Sequence, residues 1–282
     1  MTRKRFLCGD FSLDLPPLGK TLVMGILNVT PDSFSDGGSF IKPEKALEQA
    51  LKMAAEGADI IDIGGESTRP GALKVTAKEE LARVLPVLKK LSKKLKIPVS
   101  LDTYKYEVAR SGLDAGAALI NDISGLHYDE KIAELTAKAK AGLILMHIKG
   151  TPVDMQINPV YKDILKEIKD YLKDGIETAL AFGNRKESIA VDPGIGFGKT
   201  LEHNLKILKY TGEFVKLGYP VLIGASRKSF IGKVTGGTPK ERLEGSLASA
   251  VLAAERGASI VRVHDVKETV LALKVAEAVL KV

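Results

Sequence analysis

Polar and charged side chains recur at eight points of the sequence, each directly after a short apolar run. In chain order they are Asn28 with the loop Val29 to Gly38, then Gly64-Gly-Glu-Ser-Thr-Arg-Pro-Gly71, Asp102-Thr103, Asn121-Asp122 and Met146-His147. The last three are Asp192-Pro-Gly-Ile-Gly-Phe-Gly-Lys199, Ser226-Arg-Lys-Ser229 and Arg262-Val-His264. Two carboxylates, Asp102 and Asp192, and the amide of Asn121 come from separate runs. A buried carboxylate is costly unless it accepts hydrogen bonds, and a ligand with adjacent N–H donors, such as a 2-amino-4-oxopyrimidine edge, would supply them. Thr68, Arg69, Lys199, Arg227, Lys228, Arg262 and His264 form a basic and hydroxyl half suited to phosphate or carboxylate oxygens. Glycine-rich turns at the run ends add backbone N–H groups for anions. The chemistry implied is recognition of a flat nitrogen heterocycle joined to an anionic group.

The runs that must position these residues are Thr21 to Val29, Ala58 to Gly65, Pro98 to Thr103, Ala118 to Ser124, Gly142 to His147, Ile189 to Asp192, Pro220 to Ala225 and Ser259 to His264. Each reads as a buried strand and is followed by a helical pattern. Thr76-Ala-Lys-Glu79 and Thr238-Pro-Lys-Glu241 fit the capping box, the second with Pro239 at the first helical position. Gly57, Gly116, Gly142, Gly218 and Gly257 fall where a helix hands over to a strand, the place of a left-handed cap. Eight βα units with near-continuous apolar strands predict a (β/α)₈ TIM barrel, with an open doubly wound sheet as the alternative. In a barrel the chemistry belongs at the C-terminal ends of the strands, where the polar residues stand. Residues 1–20, with Phe6, Leu7, Phe11, Leu13 and Leu15 near alternation, predict an N-terminal β-hairpin closing the barrel bottom. Residues 21–282 hold the eight units, and with no linker in view residues 1–282 form one domain.

Composition limits the classes. With 45% hydrophobic and 27% charged residues the chain is an ordinary globular one. The net charge of +7 comes from 42 basic and 35 acidic residues, and lysines such as Lys162, Lys166, Lys169 and Lys173 lie spread over helix faces, so a solvated surface is expected rather than a nucleic-acid stripe. No apolar stretch reaches the length of a membrane span. The lone Cys8 offers no intrachain disulfide, Asp10 and Asp14 interrupt any signal-like segment, and a cytoplasmic location is expected.

Two longer segments carry a resemblance. Met24-Gly-Ile-Leu-Asn-Val-Thr-Pro-Asp-Ser-Phe-Ser-Asp-Gly-Gly38 and Gly57-Ala-Asp-Ile-Ile-Asp-Ile-Gly-Gly-Glu-Ser-Thr-Arg-Pro-Gly71 resemble the signature segments of the dihydropteroate synthase family. The likeness continues through Asp102-Thr103, Ile120-Asn-Asp122, Leu145-Met-His147, Asp192 to Lys199, Ser226 to Ser229 and Arg262 to Asp265. It implies condensation of a dihydropterin methyl diphosphate with p-aminobenzoate. It also implies that Asp102, Asn121, Asp192 and Lys228 bind the pterin, with Met146 against the ring, and that Asn28 is the ligand of a Mg²⁺ cofactor. Thr68, Arg262 and His264 would hold the diphosphate, with Val263 in the same segment. Phe34, Arg69, Pro70, Phe197 and Ser229 would surround the aminobenzoate. Lys228, Arg262 and His264 are the expected catalytic groups, joined by Asp36, which could stabilise a cationic intermediate from the first loop. The partners implied are these small molecules and a second copy of the chain, a homodimer, with no nucleic acid or membrane. A pterin-binding methyltransferase and a catalytically silent paralogue are the alternatives.

Other signals read more plainly. Pro193 stands where a Walker A loop needs its first glycine. The four histidines lack metal-site spacing; His127 and His203 read as surface or loop residues and His147 as a pocket wall. Asp62, by strand alternation, should face the barrel interior and support Asp102, and Cys8 reads as a small core hydrophobe.

Overall fold

The computed structural model describes residues 4–16, 20–30, 43–68 and 71–281. Two short antiparallel strands, β1 (Arg5–Cys8) and β2 (Phe11–Asp14), precede eight parallel ones. These are β3 (Leu22–Asn28), β4 (Ile60–Gly64), β5 (Val99–Asp102), β6 (Leu119–Asp122), β7 (Gly142–Met146), β8 (Ile189–Asp192), β9 (Leu222–Ile223) and β10 (Ile260–Val263). Hydrogen bonding runs in the order β8-β7-β6-β5-β4-β3-β10-β9, and a parallel bridge between Val191 and Val221 closes the ring. The expected barrel is formed. Around it lie α1 (Pro43–Ala55), α2 (Ala77–Lys94), α3 (Tyr106–Asp114), α4 (Lys131–Ala139), α5 (Ile164–Ala181), α6 (Leu201–Lys209), α7 (Thr211–Val215), α8 (Ser229–Thr235), α9 (Leu243–Glu255) and α10 (Val266–Leu280).

Strand alternation sorts the side chains into an outer and an inner set. Val23, Ile61, Ile63, Leu101, Leu143, Val191, Val261 and their neighbours face the helices in the main core. Inside, the bottom of the barrel is filled by Met24, Ile60, Leu119, Ile144, Leu222 and Ile260, and Phe6, Cys8 and Leu15 of the hairpin pack against them. The hairpin is thus a stopper, as expected. Burial pushes the Cys8 thiol up to about 12, so it stays protonated as a packing group. Two residues further along, inward rows turn polar, with Asp62 after Ile60, Asn121 after Leu119 and Arg262 after Ile260.

Local signals were obeyed with two exceptions. Thr76 and Glu79 cap α2 reciprocally, and Gly57, Gly116, Gly218 and Gly257 all take positive φ. Thr238 and Glu241 also form their box, but it opens only the 3₁₀ turn Pro239–Glu241, and α9 starts at Leu243. Gly142 has no positive φ; Lys140, with φ of 53°, caps α4 instead. Glycine is needed at 142 for space, because a Cβ there would stand 2.5 Å from Leu119 Cδ1 and 2.9 Å from Cys8 Cβ.

Phe6 is fully buried beneath the barrel. Truncation to alanine is expected to cost about 3–5 kcal/mol and to lower Tm by roughly 2–4 °C per kcal/mol. Scanning calorimetry of Phe6→Ala checks this; an unchanged Tm would show that the hairpin is not part of the core.

Candidate active site

The polar inner layer sits at the C-terminal mouth. Thr68, Asp102, Asn121, Met146, Asp192, Phe197, Lys228 and Arg262 line one cleft, together with Ile123, Ile195 and Gly224, which the sequence had not singled out. Asp62 lies just beneath. Adjacent strands put Asp102 beside Asn121 and Met146 beside Asp192 in register. Ile123, Met146 and Phe197 form an apolar wall with Ile148 and Met155, suited to the faces of a flat ring.

Arg262 occupies the middle of this layer. Its Nε donates to Asp62 Oδ2 at 2.6 Å and its Nη2 to Asp102 Oδ2 at 2.8 Å. Asp62 is fully buried and also accepts from Asn121 Nδ2 at 3.1 Å. It therefore holds both the guanidinium and the amide, the supporting role expected from alternation. Burial opposes the charge on Arg262, but the two carboxylates outweigh it and raise its pKa further. Burial also raises the Asp102 carboxyl, against the pull of Arg262 and with help from Asp62 and Glu80.

Asp192 accepts the Gly194 N–H on Oδ1 at 2.7 Å, leaving Oδ2 towards the glycine floor at Gly224. Burial lifts its carboxyl to about 6, the Gly194 bond opposing. Lys228 stands with its ammonium 4.0 Å from the centre of the Phe197 ring, a cation–π contact. Burial, then Arg262, brings it down to about 8, with Asp192 and Asp102 opposing. With Asn121 committing its N–H to Asp62, its amide oxygen remains for a ligand. The arrangement offers acceptors and one strong donor beside an apolar wall.

His264 Nδ1 meets Ser226 Oγ at 3.1 Å, while Oγ accepts the His264 backbone N–H. Ser226 Oγ thus bridges the ring and the backbone N–H of the same histidine. Burial first, then Arg262 and Arg227, lowers this imidazole to about 4, so His264 is neutral near pH 7. Val263 points its side chain into the outer core, and only its backbone can face the mouth. Ser229 is exposed at the start of α8. Two cations expected in the anion-binding half are committed elsewhere. Arg227, at φ of 55°, grips Asp265 through both nitrogens, and Lys199 is buried, donating to Phe197 O at 2.8 Å and 2.9 Å from His147 Nδ1. Phe34, Asp36, Arg69 and Pro70 lie outside the described residues.

Asn28 ends β3 opposite Gly64. A Cβ on Gly64 would come within 3.8 Å of Asn28 Oδ1 and 3.7 Å of Asp102, so the bare glycine keeps space open between them. No cluster of three or more acidic, His or Cys ligands exists among the described residues. A single neutral amide oxygen beside open space fits Mg²⁺, which retains waters and takes further bonds from substrate phosphates.

The family model described as pterin binding enzyme matches residues 24–264, spanning this barrel from β3 to β10. The chain belongs to the dihydropteroate synthase family. It is 49% identical over 260 residues to the dihydropteroate synthase of Synechocystis, covering 92% of this chain and 90% of that one. The Yersinia pestis enzyme in complex with a sulfonamide drug superposes with a TM-score of 0.92 at 44% identity, covering 99% of this chain and all of the other. The Xanthomonas albilineans enzyme in complex with 7,8-dihydropteroate gives 0.88 at 41%, with 99% of each chain covered.

The two shifted groups set a pH window for a 2-amino-4-oxopyrimidine ligand. Asp192 must be ionised to accept its N–H groups, so affinity falls as pH drops below about 6. Lys228 donates with full charge only when protonated, so affinity falls again as pH rises past about 8. Calorimetric titration of a pterin across this range should give a bell, and Lys228→Met should lose the alkaline limb only. A flat profile would refute the assignment.

Proposed function

We propose that this mouth joins (7,8-dihydropterin-6-yl)methyl diphosphate to p-aminobenzoate, giving 7,8-dihydropteroate and pyrophosphate in folate biosynthesis. The observation that carries the reading is the meeting of Asp192, Asn121 and Lys228 over the Met146–Phe197 wall, with Arg262 alongside. Asp192 accepts the N–H pair of the pyrimidine edge, and Lys228 donates to the ring atom beside it. The bond between the methylene carbon and the diphosphate oxygen breaks, and the electron-rich ring delocalises the cation left behind. The neutral arylamine then donates its lone pair to the methylene carbon and releases a proton. It is uncharged near neutral pH and needs no strong base. His264 and His147 are therefore given no such role.

Charge grows on the leaving oxygens, and Arg262, His264 and Thr68 stabilise it more than the ground state. Mg²⁺, held through Asn28, would neutralise part of the diphosphate charge. Pyrophosphate release measured with and without p-aminobenzoate and Mg²⁺ tests the whole reading. Release should need both. Asp192→Ala and Lys228→Ala should each cut kcat/KM by about 100-fold, the worth of one or two charged hydrogen bonds in a buried site. Asp36→Ala should lower turnover with pterin affinity intact. Tight pterin binding without turnover would favour the silent paralogue, or methyl transfer if a corrinoid partner restored activity.

The same reading places the chain in the cytoplasm as a homodimer. On α10, Leu271, Val275 and Val279 are 53%, 67% and 69% exposed at four-residue spacing, an apolar stripe that a second copy would cover. Light scattering should report a dimer, and Val275→Glu should shift it towards monomer; a parent protein that is monomeric at micromolar concentration would exclude the pairing.

A further inference from the structure

Outside the cleft, the most heavily buried charge cluster joins three elements. Lys105, just before α3, places its ammonium 2.5 Å from Glu66 Oε2 and 2.5 Å from Glu80 Oε2. Their side chains are only 15%, 8% and 1% exposed. Glu66 lies in the loop leaving β4, two residues before Thr68, and Glu80 lies on α2. The other Glu66 oxygen accepts the Tyr104 hydroxyl at 3.2 Å and the Val75 backbone N–H at 3.3 Å. Glu66 therefore ties the start of this loop to its end, where Thr76 begins α2.

The surrounding backbone is pressed into the same place. Arg83 of α2 donates to Gly65 O at 2.8 Å, and a Cβ on Gly65 would stand 2.7 Å from Val84 Cγ1 and 3.0 Å from Glu80 Cγ. None of these residues lines the cleft, but Thr68 does, and the chain from Glu66 to Val75 carries it. Burying three charges costs several kcal/mol per ion unless each is paired, and here Lys105 pairs with both carboxylates, linking the loop, α2 and the start of α3.

We infer that Glu66, Lys105 and Glu80 form a positioning clamp for the second loop, setting Thr68 against the anionic half of the substrate while the heterocycle site on the strand ends stands without it. The inference rests on the proposed condensation for its kinetic readout. Lys105→Met keeps the apolar stem and removes the ammonium. It should lower kcat/KM for the condensation by about 100-fold, the scale of a small misplacement of a binding group. Affinity for the dihydropterin alcohol, which lacks the diphosphate, should stay within roughly threefold, as for independent sites. Lys105→Arg should recover much of the loss. Limited trypsin digestion supplies a readout independent of turnover, since Lys74 is exposed within the loop: cleavage after Lys74 should speed up in Lys105→Met. Should that variant fail to fold, Glu66→Gln, of the same shape, carries the same expectations. Loss of alcohol affinity equal to the loss of kcat/KM, or unchanged kinetics together with unchanged cleavage, would overturn the clamp. Absence of turnover in the unsubstituted protein would count against the condensation alone, and digestion would then decide the clamp.

Discussion

The site depends on the placement of Arg262 between two carboxylates inside the barrel. Below it the interior is hydrocarbon, closed by the hairpin; above it is the open mouth. A guanidinium there would be prohibitive alone, and Asp62 and Asp102 each supply it with a bond under 3 Å. Asp62 in turn orients Asn121, so one buried carboxylate fixes two groups on different strands. The layer holds three carboxylates, Asp62, Asp102 and Asp192, against the two cations Arg262 and Lys228. Burial is why Asp102 and Asp192 both bind protons more readily than usual, with Asp62 and Glu80 adding to it at Asp102. It is also why the mouth favours a ligand that brings N–H donors of its own.

Space is arranged as carefully as charge. Met146 and Phe197 give a wall, and the glycines at 64 and 224 give a floor. A Cβ at Gly224 would stand 3.8 Å from Arg262 Cβ and 4.0 Å from Asp192 Oδ2, so a side chain there would enter the room a ring needs next to its carboxylate. Neither glycine has a positive φ; both are small because of what stands over them. The phosphate-facing side has a different origin, since Thr68 comes from a loop, and His264 is oriented through Ser226 on the neighbouring strand's loop.

Much of this was legible because barrel strands write period-2 patterns that also say which way each residue points. The inward placing of Asp62 follows from Gly64 two residues on, and the hairpin from alternation near the start. What was not legible concerns direction at loops. Arg227 and Lys199 follow strand ends as Lys228 does, but a left-handed backbone turns Arg227 to Asp265, and Lys199 folds under its own loop to Phe197 O. No local pattern distinguishes these outcomes. Gly142 looked like a cap and is instead a gap for the hairpin. The triad at Lys105 joins residues 39 and 25 positions away, and a lysine before a helix ordinarily belongs in solvent.

Two kinds of support therefore meet at the mouth. The heterocycle half takes Asp102, Asn121, Met146 and Asp192 from strand ends, where ladder hydrogen bonds and the packed core fix each Cα, and Phe197 and Lys228 from the segments just beyond. The anionic half takes Arg262 from β10 but Thr68 from a loop, whose geometry must be imposed by separate contacts such as Glu66 to Val75 and Tyr104 and Gly71 N–H to Pro152 O. Recognition of the ring needs only the heterocycle half. Breaking the bond to the leaving group needs both halves at once, because charge that develops in the transition state is stabilised only by donors already aimed at it.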